Sequence, residues 1–490
     1  MKKRYYFIPV VCALLLSACD NWLTVEPEDM VTVDKALSGR DGYIAALTGV
    51  YQILETTYNP GGFLMGGGVD ELANIYHRPE SRFNPTLNSA YEYDFLNTNF
   101  DNASGAAFLG MYRALANINV IAENLKTTEA LSDEDHALIE GEVKALRALL
   151  QFDLWRLYGP APGNEVSGEL VLPYMMQASN DFLPYSDYQA YFTQLQQDLA
   201  DARALLAASD PVLKYSNPYL NAPGSIDEYE DISWYYRQNR MNYYAVLGLS
   251  ARVELWLGNN EAAYQFAKEV IDARNEDGSR KFVLGGPSNI GDVDYAFFTE
   301  HLFGVATTDY DDDSYSGQNA NCVVGQNELD DNVSDDGTIE VPRVYPVGTV
   351  DIRRNALFTQ LDANTVASQG SWASLKYSNM SETDPGEKNF PVIRLSEMYL
   401  ILAEADPDLA EAESYFTTYL NSRNADIPVF TESTRKGAVM RQYIYEFWAE
   451  GQIFYAYKRM NADRLEFSNK TMTPENYRLP LPTGETTSNL

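Results

Sequence analysis

Basic residues and cysteine are both scarce in this chain. Lys and Arg number 36 against 70 Asp and Glu over 490 residues, giving a formal charge of −34 at pH 7. Such a surface repels phosphate backbones, which excludes nucleic acid as a partner. Of the three cysteines, Cys12 falls in an N-terminal leader, Cys19 directly follows that leader, and Cys322 stands alone. No intrachain disulfide is therefore expected, and the plain reading of Cys322 is a buried inert thiol. The three histidines, His77, His136 and His301, are widely spaced and build no His-Glu-x-x-His zinc motif. No Gly-x-Ser-x-Gly elbow occurs, and no Gly-Lys-Ser/Thr follows the glycines of 61–68, so neither a hydrolase nucleophile nor a phosphate loop is indicated. Acids are numerous enough that a glycosidase pair is a question of carboxylate separation in space, not of counting.

What is abundant points elsewhere. Hydrophobic residues make up 45% of the chain, enough for a packed globule in spite of the charge. Tyrosine is frequent, with 35 copies. Its flat apolar face and polar tip suit helix packing and also wet sites for sugars or peptides. Lys2, Lys3 and Arg4 precede an apolar run from Phe7 to Leu16 and then Leu16-Ser17-Ala18-Cys19. A basic start, a short apolar stretch and small residues form a secretory leader. The run is about half the roughly twenty residues a membrane-spanning helix needs. The cut before Cys19 is similar to the lipobox of bacterial lipoproteins, whose new N-terminal cysteine is acylated. The expected division is a leader over 1–18, a lipidated tether over 19–34 and a single domain over 35–490.

Helical spacing dominates the mature chain. It predicts helices over Tyr43–Leu54, a pair with the stripes Leu109, Tyr112, Leu115, Ile118, Ile121, Leu125 and Ile139, Val143, Leu146, Leu150, Leu154, Leu157, and further ones over 188–207, 242–256 and 260–273. Asp133 is expected to cap the second of the pair, and Gly159-Pro160 to end it. The Leu257-Gly258-Asn259-Asn260 junction resembles the turn of a tetratricopeptide repeat. Helices are predicted again over Val392–Ala405, Leu409–Arg423 and Arg435–Met460, before an extended tail from Tyr477. The fold class expected is all-α dominated, with tetratricopeptide-type helix pairs and loop-rich insertions. Its parts are a mainly helical one over 35–274, an insertion over 275–380, and C-terminal helices with a tail over 381–490. Asp309, Asp311 and Asp313 open like a calcium loop, but Ser314 and Ala320 stand where Gly and Glu are needed, so solvated acidic loops are the better reading. No metal or cofactor is expected.

Several segments together resemble the SusD/RagB family of outer-membrane lipoproteins. They are Cys19-Asp20-Asn21-Trp22-Leu23 through Pro27, Tyr112-Arg113 through Asn119, Arg147-Ala148 through Leu157-Tyr158-Gly159, Pro391-Val392-Ile393-Arg394 through Glu397-Met398-Tyr399-Leu400, and Leu479-Pro480-Leu481-Pro482. There are departures: Leu420 to Ala425, with Arg423, is a reduced form of the family's Asn-x-x-Arg segment, and beside the kept Glu450-Gly451 pair Ile453 and Ala456 replace an Arg and an Asp common in the family. The resemblance implies a cell-surface binding protein, anchored through Cys19 to the outer membrane. Such a protein captures oligosaccharides, or peptides in one branch, and passes them to a partner SusC-like TonB-dependent transporter. A structural or adhesin-like lipoprotein and a glycoside-active enzyme are the other readings.

The ligand site is expected on irregular segments. One candidate region runs from Asn74 to Tyr93, with Asn74, His77, Arg78, Tyr91 and Tyr93; the other, Phe297 to Tyr315, offers Phe298, Tyr310 and Tyr315, with Trp372 nearby. Aromatic faces stack on sugar rings while amide and guanidinium groups reach hydroxyls.

Overall fold

Long runs of leucine, alanine and tyrosine at helical spacing, broken by Gly, Pro and Asn, fold as helices laid side by side. The computed structural model describes residues 32–76, 85–179, 182–227, 231–307, 323–324, 344–346, 348–360, 372–377, 388–466, 468 and 470–488. The leader, Cys19, the tether up to residue 31 and Cys322 lie outside them. The principal N-terminal helices are α1 (Arg40–Thr57), α2 (Gly68–Leu72), α3 (Pro85–Glu92), α4 (Thr98–Leu125), α5 (Asp133–Tyr158), α6 (Tyr188–Ser209), α7 (Tyr243–Trp256) and α8 (Asn260–Asp272). Short strands follow: β1 (His301–Ala306), β2 (Val323–Val324), β3 (Phe358–Gln360), β4 (Trp372–Ser374) and β5 (Asn389–Arg394). The C-terminal part returns to helix in α9 (Leu395–Ala405), α10 (Leu409–Ser422), α11 (Arg435–Glu446), α12 (Ile453–Arg459) and α13 (Thr483–Ser488). Successive helices pack on one another: α1 on α4, α5 on α6, α7 on α8, α8 on α9 and α9 on α10.

Helix α5 lies at the centre. From Gly141 to Tyr158 every residue except Lys144 is buried, so a segment that reads as one apolar stripe is enclosed on all sides. Its charges are partnered; Arg147 makes a two-pronged bond to Asp198 at 2.7 and 2.6 Å. Gly141 permits the close crossing with α6, since a Cβ there would sit 2.7 Å from Leu206. Leu150 is completely buried. Leu150→Ala is therefore expected to cost about 2 to 5 kcal/mol through lost transfer energy and the cavity left behind. Urea unfolding checks this, and a loss under about 0.5 kcal/mol would mean that the site collapses freely.

Five details differ from the sequence expectation. Ser132, not Asp133, caps α5, its hydroxyl accepting the Asp135 N–H at 3.1 Å. Leu109 is 59% exposed, and Met111 takes its place on the buried face of α4. The segment Asn389–Arg394 is a strand, antiparallel to β1 with Gly304 opposite Pro391, and helix begins only at Leu395. Phe390-Pro391-Val392-Ile393 is a short apolar run, which periodicity alone cannot divide between buried strand and helix. The expected helix over Arg435–Met460 is broken at 447–452. There Ala449 (φ 60°) and Gly451 (φ 67°) turn left-handed, and the Lys376 ammonium binds the freed carbonyls of Glu446 and Trp448 at 2.7 and 3.0 Å. Likewise the tail closes with α13 instead of remaining extended.

Candidate functional site

The first predicted region is built around Asn74. Its amide donates to the carbonyls of Glu71 and Tyr91 at 3.0 and 3.3 Å and to the Tyr93 hydroxyl at 3.4 Å, while its Oδ1 accepts from Ser468 at 3.2 Å. Asn74 is buried and fully used, so it braces the region instead of facing a ligand. Both Asn74 (φ 53°) and Tyr93 (φ 57°) hold left-handed backbone, a strain that persists only where surrounding contacts impose it and that clusters at functional sites. Tyr91 and Tyr93 are half-buried. The Lys470 ammonium lies 4.2 and 5.3 Å from their ring centres, a cation–π clamp across the start of the site. His77 and Arg78 lie outside the described residues.

Beside this clamp opens a cleft of about 570 Å³. Tyr93, Phe95, Leu96, Leu170 and Tyr185 line it, together with Glu475 and the 478–481 run. Leu96 is 91% and Leu170 63% exposed. The extended tail is docked by the Leu479 N–H on the Leu157 carbonyl at 3.1 Å. Arg478 binds the Tyr158 carbonyl at 3.1 Å and Glu169 at 2.8 Å, and Tyr185 donates to Glu485 at 2.7 Å. Aromatic and aliphatic faces thus stand beside fixed carboxylates and a guanidinium. That combination suits a ligand with apolar ring faces and many hydroxyls. Of this lining the sequence expectation includes Tyr93 but not Phe95, Leu96, Tyr185 or Arg478. The Leu-Pro-Leu-Pro tail was visible, but nothing in its spacing says that it lines a cleft.

The remaining candidates separate. Phe298 is buried, its ring 5.4 Å from that of His301. Tyr310 and Tyr315 lie outside the described residues. Trp372 sits on β4, opposite Val324 and Gln360, and its side chain lies outside what the structure describes. Its sheet does approach the first region. Phe358 of β3 meets Trp448 at 5.5 Å, and Trp448 meets Tyr76 at 5.1 Å.

Next to Trp448, the buried Asp70 carboxylate accepts the Gly66 N–H at 2.6 Å and the Gly451 N–H at 3.0 Å. Gly451 has no room for a Cβ, which would fall 1.9 Å from the Leu64 carbonyl oxygen. Burial pushes the Asp70 carboxyl up to about 7, and neighbouring Glu450 adds to this, while the two N–H donors and Lys376 oppose it. A carboxyl raised on folding contributes stability at low pH that is lost as pH rises from about 4 through 7. The contribution is on the order of 4 kcal/mol. Asp70→Asn is expected to match the parent near pH 4 and exceed it above pH 7. Denaturant melts across that range check this, and parallel curves would contradict it.

Residues 353–489 match the model of the SusD family. This match covers the C-terminal part of the chain. SusD-like protein P25 of Formosa agariphila is 24% identical over 165 residues, 33% of this chain and 31% of that protein, so the match spans about a third of the relative's length. Nearly the whole chain superposes on solved members. A SusD superfamily protein from Bacteroides thetaiotaomicron gives a TM-score of 0.67 at 19% identity, covering 92% of this chain and 98% of that one. A laminarin binding SusD-like protein gives 0.60 at 18%, covering 92% and 98%. At these identities the superpositions establish a shared fold.

The charged motif residues build the core, not the cleft. Arg353, Arg394, Arg423 and Lys376 interleave with Asp351, Glu300, Glu446 and Glu450, all buried. Glu446 is the hub: Oε1 accepts from Arg394 at 2.8 Å and Arg423 at 2.9 Å, and Oε2 from Tyr419 at 2.8, Arg423 at 3.0 and Arg353 at 3.1 Å. Burial alone would raise its carboxyl, yet Arg423, Arg394 and Arg353 hold it well below the usual carboxylate range. Glu397 pairs separately with Arg252 at 2.8 and 2.6 Å. Ile453 and Ala456, where the family often carries charge, are simply buried.

Proposed function

We propose that this chain is a lipid-anchored surface protein that binds oligosaccharides in the cleft beside Tyr93 and passes them to a TonB-dependent outer-membrane transporter. The observation that carries the reading is the cleft itself, where Tyr93, Phe95 and Tyr185 offer ring faces next to Asp94, Glu475 and Arg478. Stacking and hydrogen bonds from such groups suffice to hold a sugar without cleaving it. A laminarin binding protein on the same fold supports a glycan as the ligand class. The strongly acidic surface favours neutral glycans over sulfated or uronic ones. The domain of 35–490 is then a binding domain held off the membrane by the 19–34 tether.

A glycan and peptide array probed with the chain from residue 20 onward tests this. Binding to neutral oligosaccharides, laminarin fragments among them, is expected, with no hydrolysis of the bound sugars. Binding confined to peptides would move the chain to the peptide-binding reading, and cleavage of the sugars would make it an enzyme.

Anchoring is tested separately. Several acyl chains on Cys19 would add their membrane-binding energies and hold the protein firmly. Cys19→Ala is expected to leave it soluble or unprocessed on fractionation. Unchanged partition into the outer membrane would contradict lipidation at this residue.

A further inference from the structure

The C-terminal run that lines the cleft from Glu475 to Leu481 begins just after Lys470, which is not itself part of the lining. The backbone around Lys470 is firmly held. Thr471 bridges antiparallel to Arg464, the Met472 N–H donates to the Asp463 carbonyl at 2.9 Å, and the Lys470 N–H donates to the Ser468 hydroxyl at 3.2 Å. From this base the Lys470 ammonium reaches a segment from the other end of the chain. It donates to the Tyr91 carbonyl and, at 2.9 Å, to Glu92 Oε2. It also stands over the rings of Tyr91 and Tyr93, 4.2 and 5.3 Å from their centres.

These contacts supply what the other partners of Tyr93 do not. The hydroxyl donates to the Leu72 carbonyl and accepts from the Asn74 amide. The backbone at the other end is pinned in its left-handed conformation by the Tyr93 N–H on the Ala90 carbonyl at 3.1 Å. Those bonds fix the two ends of the ring axis but not the ring plane, because rotation of a tyrosine ring about that axis is broad and roughly two-fold. Stacking on a sugar needs a defined plane. A cation within about 6 Å of a ring is attracted to its face and so favours one plane over the others. The edge-on Phe95 ring, 6.1 Å away at 85°, meets Tyr93 from a second direction.

We infer that Lys470 is a positioning residue for the cleft: its ammonium fixes the ring plane of Tyr93 against which a sugar stacks. The inference rests on the reading of the cleft as a glycan site. Lys470 acts through the ring and does not touch the ligand.

Two variants test this. Lys470→Met keeps the apolar stem and removes the ammonium, and Lys470→Arg keeps a cation within reach of both rings. Each is titrated calorimetrically with a laminarin oligosaccharide, and each is crystallised without ligand. Lys470→Met is expected to raise the dissociation constant about tenfold, the scale of one cation–π contact, with Lys470→Arg within about threefold of the parent. The unliganded Lys470→Met crystal should show the Tyr93 ring turned or in two orientations, against one in the parent and in Lys470→Arg. A turned ring with unaltered affinity would make Lys470 a structural pin only. Weakened affinity with an unaltered ring would make it a direct ligand contact, and equal losses in both variants would show that its charge does not matter. Each of these results overturns the inference. A parent that binds no glycan would instead sink the glycan reading, and the Tyr93 ring in the Lys470→Met crystal would still decide whether Lys470 positions it.

Discussion

Glu446→Ala is expected to destabilise the protein by about 3 to 5 kcal/mol, because it strands buried guanidiniums that have no route to water. In the parent, four cationic side chains face four carboxylates inside the C-terminal core. Removing the hub leaves one positive charge uncompensated and cuts five hydrogen bonds at once. Glu446→Gln keeps the shape and part of the hydrogen bonding but loses the charge, so its cost should be similar in sign and smaller. The network joins the short helix Ile352–Ala356, β5, α10 and α11, which makes the loss global instead of a local fraying. Urea unfolding followed by circular dichroism measures it. A cost under about 1 kcal/mol for the alanine variant would show that water enters the cluster and that the network is not what holds these segments together.

The second large effect concerns binding. Tyr93→Ala combined with Tyr185→Ala removes two aromatic rings from the lining of the cleft. Aromatic anchors of this kind commonly account for about 2 kcal/mol or more of a binding energy. Affinity for a laminarin oligosaccharide is therefore expected to fall roughly thirtyfold or further. Calorimetric titration measures this. The single variants separate the roles. Tyr185 is half-buried and its hydroxyl reaches the tail's Glu485 near the chain end, so Tyr185→Ala should melt close to the parent. Tyr93 donates to the Leu72 carbonyl, so Tyr93→Ala carries some stability cost, which Tyr93→Phe, retaining the ring, isolates from stacking. Unchanged affinity in the pair, with only a lowered melting temperature, would mean that both rings merely fasten the loops.

Much of the scaffold is legible in the amino-acid order. The helices from α4 to α8 and the pair α9 and α10 follow from apolar spacing, because each is long enough for its period to show. Legibility fails where an apolar run is too short to carry a period or where distant residues decide. The strand at Asn389–Arg394 exists because β1 pairs with it from some ninety positions earlier, as the His301–Arg394 partnership shows. The break before α12 depends on Lys376 collecting the Glu446 and Trp448 carbonyls. At the site, amino-acid type alone does not separate Asn74, a buried brace, from Tyr91 and Tyr93, which reach the surface. Nor does it show that the 475–481 run returns to wall the cleft. The motif residues Arg394, Arg423 and Glu450 are recognisable, but only their burial shows that they serve the fold.

The most direct measurement is a crystal structure of the domain soaked with a laminarin oligosaccharide. Sugar density in the cleft, with a pyranose ring against Tyr93, Phe95 or Tyr185 and hydroxyls within reach of Asp94, Glu475 or Arg478, is the predicted result. Sugar bound elsewhere on the molecule, with the cleft filled only by solvent at saturating ligand, would contradict the assignment.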